Sequence, residues 1–276
     1  MVNQGRTGDI DARLALAQDR STGPDELYEL ASDPSERVRA AVAANPGAPA
    51  QALRGLTRDR DRTVRREVAK NPATSSGNLQ RLVRDADRWV RWAVATNPAC
   101  DTPVRELMAK AQDKELRGLL AEMPDLEPDL TAILIADVSP EVRERLAGRT
   151  RDPEVISAML RDRTVRVRKG LAINDATTAE QRSTLAHDSS PDVRAALVRA
   201  LPLAEADLRA LLDDRSAEVR HSMATSDLTP EHIRHALEND ADETVAEAAR
   251  HYRPTPPAGG PHRRTLGKRF PGKARS

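Results

Sequence analysis

DPSERVRAAVAANP, Asp33 to Pro46, is the block from which the rest of this chain can be read. It returns as DRDRTVRREVAKNP from Asp59 to Pro72 and as DADRWVRWAVATNP from Asp85 to Pro98. Outward from these copies the pattern thins to a Leu or Met followed, eight residues later, by Val or Leu. That pair occurs nine times: Leu30/Val38, Leu56/Val64, Leu82/Val90, Met108/Leu116, Leu134/Val142, Met159/Val167, Leu185/Val193, Leu211/Val219 and Leu237/Val245. Successive copies stand 26 residues apart, with a single 25-residue step between Val142 and Val167. A period in this range marks a stack of small units, each touching only its neighbours.

Within a block, the residue three before the reference Val or Leu is always a good helix cap: Ser35, Asp61, Asp87, Asp113, Ser139, Thr164, Ser190, Ser216 and Asp242. Such side chains accept an otherwise unpaired N–H at a helix start. Pro140 and Pro191 follow two of them, at the first helical position, where no N–H is needed. The apolar residues then fall at the reference and four and five residues on, as in Val38, Val42, Ala43 and Val64, Val68, Ala69. That is one face of an α-helix and not the alternation of a strand. This helix A stops at Asn45-Pro46, Asn71-Pro72 and Asn97-Pro98, because the residue before proline resists the α conformation. A second helix B carries pairs three apart: Leu27/Leu30, Leu53/Leu56, Leu79/Leu82 and Leu208/Leu211. The missing residue of the short repeat falls in the turn Arg149 to Asp152.

The Asp33–Pro46 block and its two copies resemble the leucine-rich repeat variant family. The resemblance extends over residues 10 to 252 and loosens after the third copy. It implies a right-handed superhelix of alternating α and 3₁₀ helices, so that one element of each pair is expected to be partly 3₁₀. Some members carry a cysteine cluster for an iron–sulfur centre ahead of the repeats; no cysteine stands there in this chain, and that cofactor is not carried over. HEAT-like repeats share the Asp…Val-Arg pattern.

Composition agrees with a thin, repetitive structure. Aromatic residues make up 2% of the chain, hydrophobic ones 38% and charged ones 32%, so the core has to be built from Ala, Val and Leu. The single cysteine, Cys100, excludes an internal disulfide framework. No apolar stretch opens the chain and none approaches membrane-spanning length, which leads to the expectation of a cytoplasmic protein. The formal net charge is +1, unevenly spread. Seven of the 44 Lys/Arg and none of the 43 Asp/Glu lie from Arg253 onward, which leaves the preceding 252 residues at −6.

Two polar rows follow the period. Arg39, Arg65, Arg91, Arg117, Arg143, Arg168, Arg194 and Arg220 follow the reference residue, and Asp33, Asp59, Asp85, Asp137, Asp162, Asp188, Asp214 and Asp240 precede it by five. An Arg row facing solvent would track phosphates, one charge per repeat. The matching Asp row favours the structural reading, in which each Arg ties one repeat to the next. The row ends at Ala246, where no further repeat needs tying.

Trp89 and Trp92, the only tryptophans, break the pattern. They are three apart on one helix A, at positions occupied elsewhere by polar or small residues such as Thr63 and Arg66 or Glu141 and Glu144. Two indoles with arginine nearby have the composition of an interface hot spot, so Trp89, Trp92 and Arg66 form the candidate partner-binding set. The structural alternative is that the indoles fill a gap beside the atypical fourth repeat, where Ala111 and Leu116 replace Asp and Val. The Pro/Gly-rich segment from Pro254 supplies Arg263, Arg264, Lys268, Arg269, Lys273 and Arg275 and reads as a disordered basic tail, able to hold nucleic acid or an acidic partner. His232 and His235 share a helix but lack a completing ligand, and no phosphate loop or nucleophile elbow appears. Asp85, Asp87, Trp89 and Trp92 resemble the Trp and Asp of HEAT-like DNA glycosylases only loosely, and the acidic body opposes a duplex groove.

The sequence thus predicts an all-α, right-handed α-solenoid of about nine 26-residue two-helix repeats. Residues 1–32 form an N-terminal cap containing a lone helix B, 33–252 the solenoid and 253–276 the tail. The expected role is a non-enzymatic scaffold or adaptor for a protein or peptide, with no cofactor and no membrane partner; the alternative is a nucleic-acid-associated protein using the tail and part of the solenoid face.

Overall fold

The computed structural model describes residues 10–254. It divides into two units, one ending at Leu197 and one starting at Val198. The described residues contain nineteen α-helices and one 3₁₀ turn joined by short loops, and none of those residues is in a strand. In the first unit they run α1 (Ile10–Gln18), α2 (Pro24–Leu30), α3 (Glu36–Ala44), α4 (Ala50–Leu56), α5 (Arg62–Lys70), α6 (Ser76–Leu82), α7 (Arg88–Ala95), α8 (Thr102–Ala109), α9 (Lys114–Ala121), α10 (Pro128–Ile135), α11 (Pro140–Arg149), α12 (Pro153–Met159), α13 (Val165–Ala172) and α14 (Ala179–Ala186). The division falls within α15 (Pro191–Ala200). The second unit holds α16 (Glu205–Leu212), α17 (Ala217–Thr225), α18 (Glu231–Ala236), the 3₁₀ turn Leu237–Asn239 and α19 (Glu243–His251).

Odd-numbered helices are the A elements and even-numbered ones the B elements. From α1 to α13 each A helix packs on the A helix of the next repeat, and α17 packs on α19. Helices of six to ten residues are too short to stand alone in water, so this stacking is what holds them. The core lies where the period places it. All nine reference residues, from Val38 to Val245, are buried, as are Val42, Val68 and Val94 four residues on. Ala43, Ala69 and Ala147 at the next position are fully buried; their small side chains let neighbouring A helices approach. Among the described residues no helix is long and apolar enough to cross a membrane.

The expected caps hold in part. Ser35, Asp61, Asp87, Asp113 and Asp242 accept a backbone N–H with their side chains, whereas Ser139, Thr164 and Ser216 do not. Ser139 donates its hydroxyl to Glu141 instead, and Thr164 accepts from Arg143. At the other end, B helices close with i to i−3 bonds, as in Arg58 N–H to Gly55 C=O and Asp59 N–H to Leu56 C=O. Similar bonds open and close A helices, as in Val142 N–H to Ser139 C=O and Asn45 N–H to Val42 C=O, and among the described residues one separate 3₁₀ segment stands at Leu237–Asn239.

The lone B helix expected ahead of Asp33 is corrected: α1 precedes α2 and packs on α3 as a further A helix. Its reference position is Ala12 instead of Val, so the apolar signature is too weak to read, although Arg13 keeps the register of the Arg row. The short repeat shows where its residue is lost. Helix α11 extends to Arg149, one residue beyond the register of α3, and only three residues connect it to α12, against five between α3 and α4.

Candidate functional site

The Arg and Asp rows form a ladder that runs forward along the chain. The Arg39 guanidinium donates Nε and Nη2 to the two carboxylate oxygens of Asp59 in the next repeat, at 2.6 and 3.0 Å, and Nη1 to the carbonyls of Asp33 and Pro34 in its own loop. The same fork recurs at Arg65–Asp85, Arg117–Asp137, Arg143–Asp162, Arg168–Asp188 and Arg220–Asp240, and α1 adds Arg13–Asp33. Each Asp also fixes its own loop: Asp59 accepts the N–H of Asp61, the cap of the following helix. Burial pushes the Asp33, Asp59, Asp137 and Asp162 carboxyls up, but the arginine fork and that backbone N–H outweigh it and hold all four below the usual carboxylate range. At Asp240 the Arg220 hydrogen bond is itself the largest influence, and it too lowers the pKa. Where Ala111 replaces the Asp, Arg91 turns to the cap residue Asp113. These guanidiniums are engaged with carboxylates and carbonyls, which leaves them unsuited to tracking phosphates.

A second ladder runs backward and uses the Asn of each Asn-Pro stop, together with Asn174, which precedes Asp175. Asn71 Nδ2 donates to the carbonyls of Ala43 and Asn45 in the preceding repeat, at 2.8 and 2.9 Å, while its Oδ1 accepts the N–H of Ala73. Asn45, Asn97 and Asn174 do the same. The first acceptor of each pair belongs to the last turn of a helix, whose carbonyls have no partner within it, and the second lies just past the helix end. In the short repeat the second acceptor moves from the Arg149 position to Thr150, which absorbs the lost residue. The sequence signal was present, a buried-side Asn at a fixed place, but the Asn was read only as a helix stop.

Trp89 and Trp92 lie on the surface of α7 and remain 50% and 45% exposed. Both line an open groove of about 810 Å³ between α7 and α9 that also takes in Leu116, Leu119, Glu115, Glu122 and Arg145. The Arg88 guanidinium stands 4.7 Å from the Trp89 ring centroid, a cation–π contact. Arg145 reaches back from α11 to Glu115 at 2.8 Å and Glu122 at 3.6 Å. Gly118 gives it passage, since a Cβ there would sit 2.8 Å from the Arg145 side chain. Arg66 occupies the Trp92 position one repeat earlier, beside Glu67 at 3.6 Å, and is not among the residues lining this groove. Beyond Arg145 the same face is paired: Glu141 meets Lys114 and Arg166, and Arg166 also meets Glu144. The Ser139 hydroxyl, the backbone N–H of Glu141 and the two cations hold the Glu141 carboxyl down to about 2.

The two histidines on α18 are exposed and face separate carboxylates: His232 lies 3.3 Å from Glu205 and His235 2.9 Å from Glu238. Among the described residues no three His, Cys, Asp or Glu side chains group around a site for a metal ion. Cys100 is buried against Met108, and burial pushes its thiol up. In the second unit Arg234 is buried, donating to the carbonyls of Ala224, Ser226 and Thr229 beneath the Tyr252 ring. Arg263, Arg264, Lys268, Arg269, Lys273 and Arg275 lie outside the described residues.

Residues 36–61 match the family model described as leucine rich repeat variant. A solved leucine-rich repeat variant with a novel repetitive structural motif is 27% identical, covers 79% of this chain and 88% of its own length, and superposes with a TM-score of 0.57. An engineered protein at 15% identity covers 87% of this chain and 93% of its own, with a TM-score of 0.31. A designed armadillo repeat protein at 18% identity covers 87% and 90%, with a TM-score of 0.14. No curated protein matches the sequence significantly. In repeat sequence and in helical fold alike, this chain is similar to the leucine rich repeat variant.

Proposed function

We propose that the chain is a non-catalytic scaffold that binds a protein or peptide across the α7–α9 face, with Trp89 and Trp92 as anchors. The observation that carries this reading is the pair of half-exposed indoles on the wall of an open groove. Large aromatic area on a soluble surface costs solubility unless it meets a partner, and tryptophan and arginine are the residue types that dominate binding energy at interfaces. Neither indole fills the core: the neighbouring Leu116 is buried without them being so. The groove is large enough for a few side chains of a partner. Arg66, one repeat away in the same register, extends the same face.

The test is affinity capture with mass spectrometry, comparing the wild-type chain with the Trp89→Ala/Trp92→Ala variant after circular dichroism has shown equal helicity. Partners retained by the wild type and lost by the variant support the reading; an unchanged set removes it. The nucleic-acid alternative rests on the basic segment 254–276, and deletion of that segment with salt-dependent retention on DNA or RNA tests it separately.

A further inference from the structure

A second surface adjoins the tryptophan groove. Residues 50–86 hold nine Lys/Arg against four Asp/Glu, although the first 252 residues together carry −6. All four carboxylates are already engaged. Asp59 and Asp85 take the ladder arginines, Glu67 takes Lys70, and Asp61 caps α5. Arg54, Arg58, Arg81 and Arg84, by contrast, are exposed, and among the described residues none of their side chains donates a hydrogen bond or joins an ion pair. Arg58 and Arg84 stand one repeat apart, and Lys110 stands one repeat further at the same register.

These side chains line a continuous path. Two grooves of about 620 and 700 Å³ between the α4 and α6 repeats share Arg58, Gly77 and Arg81. A third, of about 490 Å³, is lined by Arg84 and Lys110 and shares Arg91, Asp113 and Leu116 with the tryptophan groove. We propose that this path binds an extended acidic peptide segment of a protein partner, its carboxylates on Arg54, Arg58, Arg81 and Arg84 and an apolar side chain on Trp89 and Trp92. The proposal deepens the partner reading above, and only its apolar end rests on that reading.

Three observations favour a peptide over a nucleic acid. Single-strand binders interleave aromatic rings with their basic residues so that bases can stack, and here the arginine stretch is lined by Gly77, Gln51, Asn78 and Gln80 instead. Side-chain amides are suited to the N–H and C=O groups of a peptide backbone. At the tryptophan end the exposed carboxylates of Glu115 and Glu122 would repel a phosphodiester chain that continued along the path. Free guanidinium forks, in turn, match carboxylates in geometry and charge.

The test uses the full chain and fluorescence anisotropy at near-physiological salt. The probes are a labelled peptide of five Glu-Ser pairs followed by Phe-Leu, its Lys-Ser counterpart, and a short thymidine oligonucleotide. The expected result is saturable binding of the acidic peptide alone, weakened about tenfold or more by Arg58→Glu/Arg84→Glu and by added salt. Both residues are exposed and unpartnered, so the melting temperature should hold; the neutral pair Arg58→Gln/Arg84→Gln should give an intermediate loss. Wild type that ignores the acidic peptide, or a charge-reversed variant that binds it equally well, overturns the proposal. So does an oligonucleotide bound more tightly than the peptide and lost on charge reversal, which would assign the path to nucleic acid. If Trp89→Ala/Trp92→Ala leaves peptide affinity unchanged while charge reversal abolishes it, the indole anchor fails and the basic path stands.

Discussion

Asn71 satisfies three backbone groups with one side chain, and the two in the preceding repeat, at Ala43 and Asn45, are buried. Truncating it to Ala strands the carbonyl of Ala43 inside the stack and leaves that of Asn45 with the Ala48 N–H alone, and a buried polar group without a partner costs about 1–3 kcal/mol. We expect Asn71→Ala to lower stability by about 1–3 kcal/mol in urea unfolding, well above what loss of an exposed polar side chain would do. A loss below about 0.5 kcal/mol would mean that water replaces the amide. The fork at Arg65 makes a complementary case. Lysine offers a point charge in place of a planar fork and cannot serve both Asp85 and the Asp59 carbonyl, so Arg65→Lys should cost about 1–3 kcal/mol through the charged hydrogen bonds it loses. The Arg–Asp row was legible in the sequence because two opposite charges recur at one period. The Asn row was not, because an Asn before Pro already has a sufficient local explanation, and only coordinates show where its side chain points.

Each helix is close to the shortest that can form, so what matters at this scale is how near its neighbour lies. Gly170 on α13 touches α11: a Cβ there would sit 2.7 Å from the Glu144 carbonyl oxygen and 3.2 Å from the Ala147 Cβ. Both are fixed parts of a packed helix, and overpacking of this kind costs about 1–3 kcal/mol. Gly55 on α4 has nothing within 4 Å of the same added atom. There the change only removes freedom from the unfolded chain and improves helix propensity, by about 0.5–1 kcal/mol. Gly170→Ala should therefore lower, and Gly55→Ala raise, the midpoint of chemical unfolding; equal signs would show that the approach of α11 to α13 relaxes freely. The pairing of A and B helices was legible from periodicity, but α1 was not. Its Ala12 buries too little to stand out, and what identifies it is the Arg13–Asp33 bond and its packing on α3. The tryptophan groove was half legible: the indoles announced themselves, while Leu119, Glu122 and Arg145 come from later helices whose approach no linear spacing reveals.

For the molecule as a whole, the ladder makes stability a function of pH in one direction. Asp33, Asp59, Asp137, Asp162 and Asp240 are all held below their ordinary pKa by arginine and backbone donors, while an unfolded Asp titrates near about 3.9. A carboxylate depressed on folding binds fewer protons in the native state than in the unfolded one. Its contribution is complete above the unfolded pKa and disappears as pH falls through the folded pKa. The melting temperature followed by circular dichroism should accordingly be flat from neutral pH to about pH 4 and drop steeply below it. Protonating one rung also leaves a buried guanidinium without its counterion, at Arg39 or Arg143 for instance, so each lost rung loosens its neighbour as well. The drop should be steeper than five independent carboxylates would give. Replacing Asp137 by Asn should lower the neutral-pH plateau and shrink the acid-dependent part together, because the amide can neither accept the full Arg117 fork nor titrate. A decline that begins between pH 7 and pH 5 would instead assign the transition to histidine, whose ordinary pKa is about 6.5, and would remove the ladder from its central place in holding the repeats together.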